Sequence, residues 1–147
     1  MRFTKMQGIG NDYVYVNCFE EHVENPSELA KQMSRRHYGV GSDGLILICP
    51  SDVADFEMKM YNADGSNGGM CGNGARCLCR HCHDRGLASG PVQRIETPAG
   101  LVTGRRIAAD RYRIRLNRPS VVRLHVEAEG VRCAYLELGE PGIPHAV

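Results

Sequence analysis

The helical stripe of residues 72–85, set among mostly extended runs, most constrains the fold of this chain. In residues 72–85, Ala75, Leu78, Cys79 and Cys82 recur at helical spacing on one face, and Arg76, Arg80, His83 and Asp84 fall toward the other. Gly86 is a good terminator. So short a helix is not stable in water unless its apolar stripe is covered. Nearly everything around it reads as strand, so a sheet must wrap it. The expected class is α+β, a mixed β-sheet curled around a central helix.

The strands follow from local pattern. Residues 2–7 and 12–18 are extended runs around Gly8-Ile9-Gly10-Asn11, and Tyr13-Val14-Tyr15-Val16 is β-branched and aromatic. Asn25-Pro26-Ser27-Glu28 starts a helix that should reach about Arg36, with Leu29, Met33 and Arg36 near one face. Leu45 to Cys49 is a short apolar run suited to a buried strand, and residues 55–61 alternate strictly, with Phe56, Met58 and Met60 on one side. Ser66 to Gly69 reads as a pliable arm. Pro98-Ala99-Gly100 joins two strands of a hairpin, and 111–116 alternates again with its arginines toward solvent. Asn117-Arg118-Pro119-Ser120 interrupts the pattern and marks a domain boundary, with strands at 121–126 and 131–138 beyond it. The expected division is 1–117 and 118–147.

Composition excludes several classes. The net charge is +1 with 24% charged residues, which leaves no nucleic-acid footprint. No apolar run is long enough to span a membrane, and no signal-peptide pattern opens the chain. The seven cysteines are odd in number, which points to free thiols in a reducing cytoplasm.

The chemistry concentrates at Met70-Cys71-Gly72-Asn73-Gly74-Ala75-Arg76-Cys77. A thiol at a helix start feels the positive end of the helix dipole, which favours the thiolate. The flanking glycines let backbone amides approach a ligand, and free amides there can hold a carboxylate. Asn11 can offer both a carbonyl and an amide to a ligand, or simply make a turn. Asn62, at the end of the alternating strand, opens a turn and by itself reads as an Asx-turn residue. The glycine-rich stretch 39–44 has no lysine at phosphate-loop spacing, so it is not a nucleotide site. Cys77, Cys79, His81, Cys82 and His83 offer a rival reading as a zinc or redox module. On one helix those side chains diverge, and no paired CxxC units occur. The cysteines read better as small core residues, with no metal.

Four motifs in order, Gly8-Ile9-Gly10-Asn11-Asp12-Tyr13, Arg36 to Gly44, Tyr61 to Ser66 and Met70 to Cys77, resemble the diaminopimelate epimerase family. The resemblance covers roughly the whole chain but only the first half of a family member. It implies the epimerase-like fold, a sheet wrapped barrel-like around the helix. It implies interconversion of LL- and meso-diaminopimelate, a lysine and peptidoglycan precursor, without pyridoxal phosphate, metal or other cofactor. Two cysteines would face opposite sides of the α-carbon, one as thiolate and one as thiol. Cys71 matches one of them, with Asn11, Asn62, Gly72 and Asn73 as substrate-binding residues and His145 as a supporting residue. Many family members carry a substrate-contacting glutamine where Gly44 stands, bulkier residues at 66–69, and an asparagine where Ile143 precedes Pro144-His145. The second cysteine would lie beyond residue 147, which makes 118–147 the start of an incomplete second domain and leaves this chain with little epimerase activity alone. The partner would be the small-molecule substrate, with unpaired strand edges favouring a homodimer. Related isomerases on the same fold are the alternatives. Proline racemases usually carry His where Asn73 stands, and phenazine-pathway isomerases are a further possibility.

Overall fold

A computed structural model describes residues 1–139 and 142–147. Eight strands form one sheet: β1 (Thr4–Gly8), β2 (Asn11–Asn17), β3 (Gly44–Cys49), β4 (Phe56–Asn62), β5 (Asn67–Gly68), β6 (Val92–Thr97), β7 (Gly100–Ala108) and β8 (Arg111–Arg115). Their order is β1-β2-β3-β4-β6-β7-β8, with β5 paired to β4. Helix α1 (Pro26–Ser34) bridges the parallel pair β2 and β3, and α2 (Gly72–Asp84) lies between β4 and β6, also parallel. A second sheet, β11-β10-β9, is built from β9 (Pro119–Ala128), β10 (Val131–Leu138) and β11 (Ile143–Ala146).

The two helices occupy opposite faces of the large sheet. Tyr13, Tyr15, Ile46, Ile48, Phe56, Met58 and Met60 pack with Ala75, Leu78, Cys79 and Cys82 of α2. Val14, Val16, Leu45 and Leu47 pack with Ala30 of α1. Strands β2 and β3 are therefore covered on both sides, which is why they read as continuous apolar runs, whereas β4 alternates. Helix α2 touches β1, β2, β7 and β8, so the sheet curls around it. Cys77, Cys79 and Cys82 are buried in this core.

Two local readings change. Helix α1 ends at Ser34, so Arg36 lies outside it and is exposed, and the helix buries Ala30 and Ser34 with Leu29 and Met33 packed alongside. The stretch expected to be a loose arm is tied down: Asn67 and Gly68 pair with Tyr61 and Met60 as β5. A two-residue strand carries too little pattern to stand out in sequence. Residues 143–146 form a further strand on β10, also without a local signature.

Candidate active site

The start of α2 is built by contacts from the core side. Gly74 is buried, and a Cβ there would come within 2.7 Å of Ile46 Cδ1. Glycine here lets the helix pack closely on the buried Ile46 side chain. The buried Tyr15 hydroxyl donates to the Gly74 carbonyl at 3.1 Å. Together these seat the first turn on β2 and β3. Cys71 is the N-cap: its backbone is extended and its Sγ accepts the Gly74 amide at 3.3 Å. The amides of Gly72 and Asn73, in the first turn, have no intrahelical acceptor.

From the other side comes the β1–β2 hairpin tip, whose loop residues Ile9 and Gly10 both have positive φ. The tip lies on the helix start: a Cβ on Gly8 would sit 3.4 Å from both the Asn73 carbonyl oxygen and Cys77 Sγ. This brings Asn11 to Cys71, whose thiol donates to Asn11 Oδ1 at 3.1 Å. The sulfur thus meets a donor that favours its anion and an acceptor that favours its thiol. Tyr13 stands beside both, its phenol pushed up to about 12 by burial and then by the Cys71 charge. Burial likewise raises Cys77, and raises Cys79 to about 12, so the neighbouring thiols are poor anions.

The other predicted residues are placed as follows. Asn73 accepts from the Arg76 guanidinium through Oδ1. Asn62 is engaged in its own turn, donating from Nδ2 to Ser66 Oγ at 2.9 Å. It stands opposite Gly44 in the sheet, and Gly44 stands opposite Tyr13, so Asn62 shares this end of the strands with Asn11. A Cβ on Gly44 would lie 2.2 Å from the Tyr61 carbonyl oxygen, so no side chain fits there on this backbone. His145 is exposed and donates from Nδ1 to the Ile143 carbonyl at 2.9 Å. With Met70, Gly72, Leu116 and Asn117 it lines a cavity of ≈ 50 Å³ between the two sheets. Among the described residues no three His, Cys, Asp or Glu side chains converge as metal ligands. Among the described residues no helix is long and apolar enough to cross a membrane. Sequence reasoning missed Asp43, whose carboxylate accepts from Asn11 Nδ2 at 2.7 Å. Its position beside three glycines was the only hint.

A mixed sheet curled around a helix defines the class, a fold shared with solved racemases, epimerases and isomerases. A hydroxyproline epimerase from Agrobacterium vitis aligns with a TM-score of 0.67 at 15% identity, over 98% of this chain and 50% of that one. A probable proline racemase from Agrobacterium radiobacter K84 aligns at 0.64 and 16%, over 98% and 50%. The family model for diaminopimelate epimerase matches residues 3–117, and the chain belongs to that family. The diaminopimelate epimerase of Acetivibrio thermocellus is 62% identical over 101 residues, covering 69% of this chain and 36% of that protein. That of Desulfovibrio desulfuricans is 47% identical over 141 residues, covering 96% and 43%. The chain spans well under half the length of these curated relatives.

Proposed function

We propose that this chain supplies the first-cysteine half of a diaminopimelate epimerase site. The observation that carries the reading is the Cys71 thiol at the head of α2, between Asn11 and the open amides of the first turn. The amides of Gly72 and Asn73 take the substrate α-carboxylate, with Asn11 and Asn62 at its edge and His145 supporting from the second sheet. Cys71 exchanges a proton with one face of the α-carbon. The electron pair left on that carbon spreads into the carboxylate, where the amides stabilise it. A second thiol serves the opposite face, and it belongs to the part of the relatives that this chain does not span. Cys77 cannot serve, being buried on the same helix, and Cys133 donates instead to the Val126 carbonyl within the second sheet. Residues 1–117 form the first domain and 118–147 open the second. The free thiols fit a reducing cytoplasm. The terminal strands β1 and β8 are edges on which a second copy can pair.

Two measurements test this. Iodoacetamide near neutral pH should label Cys71 ahead of the buried thiols, and diaminopimelate should slow that labelling while proline does not. Protection by proline instead would overturn the substrate assignment. In D2O the 147-residue chain alone should leave the α-proton of diaminopimelate in place; exchange at enzymatic rates would refute the half-site.

A further inference from the structure

We propose that Asp43 is a positioning residue that holds Cys71 as the thiol, acting through Asn11. The proposal rests on the reading of Cys71 as an acid–base group and adds which of the two roles the resting chain presents. A side-chain amide can face a neighbour with its oxygen or its nitrogen. Asp43 decides between them. Its carboxylate only accepts, so it takes Asn11 Nδ2–H at 2.7 Å and turns Oδ1 to the sulfur. A flipped amide would set its carbonyl against the carboxylate. Asp43 is itself fixed twice to the neighbouring backbone, donating its amide to the Asp12 carbonyl at 2.8 Å and accepting the Asp12 amide on Oδ2 at 3.0 Å. The glycine-rich stretch therefore carries an orienting carboxylate to the hairpin tip.

The surrounding groups leave this arrangement in control. Tyr13 and Tyr15 face the sulfur from β2, both with raised phenols, and Cys77 faces it from its own helix. Lys5 is paired with Asp12 at 2.9 Å, and Arg76 is held by Asn73. Against the Asn11 carbonyl stand the Gly74 amide and the helix dipole, which favour the anion. In the reaction, the opposite-face thiolate takes the α-proton and the C–H pair stays on carbon; the Cys71 S–H proton then bonds to that carbon, and the sulfur keeps the S–H pair as thiolate. Once the product leaves, that thiolate faces a carbonyl oxygen, which favours uptake of a proton from solvent water and resets the donor.

The test needs no substrate. Iodoacetamide labelling of the 147-residue chain is followed site by site by mass spectrometry. Asp43→Ala frees the amide to turn its nitrogen toward the sulfur, and Cys71 labelling at neutral pH should rise about threefold. Asp43→Asn keeps an acceptor oxygen and should restore the slow rate. In an Asn11→Ala background, Asp43→Ala should add nothing. A D43A rate no faster than wild type, or an equal rise without Asn11, overturns the proposal. If D43A does not fold, N11A alone carries the test, and an N11A rate no faster than wild type overturns it. Faster labelling of D43A without diaminopimelate protection of the wild type would keep the role of Asp43 and discard the substrate.

Discussion

Gly104 on β7 is where α2 comes closest to the sheet, and Gly104→Ala tests whether the helix is seated as described. A Cβ at 104 would lie 2.1 Å from Cys79 Sγ, 3.2 Å from Ile114 Cδ1 and 3.5 Å from Cys79 Cβ. Cys79 is fully buried, so the sulfur has nowhere to retreat without moving the helix. Overpacking of this kind costs about 1–3 kcal/mol. The alanine also restricts the unfolded chain, which offsets about 0.4–1 kcal/mol because Gly104 does not have a positive φ. The expected net loss is about 1–2 kcal/mol. Cys79→Ala removes the sulfur and leaves a small void, itself costing about 1 kcal/mol. In the double variant the new methyl fills that void, and the remaining Cβ–Cβ contact is ordinary. The two changes should therefore couple favourably by about 1–2 kcal/mol in urea unfolding followed by circular dichroism, with unchanged m-values. A G104A chain as stable as wild type, or a coupling below about 0.5 kcal/mol, would refute this seating of the helix.

Further expectations concern the hairpin tip and the far end of α2. Ile9 has φ 58° and is 87% exposed, a costly conformation for a β-branched residue with no burial in return. Ile9→Asn, which completes an Asn-Gly turn, should stabilise the chain by about 1 kcal/mol, read as a higher Tm. His81 is buried against Tyr15, and burial, then the Arg85 charge, holds its imidazole below the ordinary value. The unfolded chain binds that proton more readily, so stability is full above about pH 6.5 and falls as the pH drops below it. In His81→Gln this part of the pH dependence of Tm should disappear.

Much of the fold is legible because local pattern and burial agree. The stripe of α2, the alternation of β4 and the double-sided burial of β2 and β3 each leave a direct trace in residue type. What escapes reading depends on contacts between distant segments. Gly74 looks like a ligand-facing glycine beside Asn73, and its close packing on Ile46 from β3 leaves no trace in the local sequence. Asp43 looks like one more turn residue until the hairpin tip is set beside it. Asn62 makes its own turn, donating to Ser66, at the end of the sheet where Asn11 also lies. Strands β5 and β11 are too short to have a period of their own and exist because a neighbour offers an edge.

The same contacts explain why the cysteine can be held so closely by a chain with a short helix. The first turn of α2 is fastened from below by a buried hydrogen bond, Tyr15 to the Gly74 carbonyl, and Tyr15 is 1% exposed. Tyr15→Phe keeps the ring and removes the hydroxyl, and should cost about 1 kcal/mol with no new cavity. If that bond also fixes the helix start, the loss should not be confined to global stability. Amide exchange at Gly74 and Ala75, measured on the folded chain, should quicken more than exchange in β3, which keeps all its partners. Uniform quickening across the sheet would mean that Tyr15 supports the core as a whole and that the site is held by the N-cap and the hairpin tip alone.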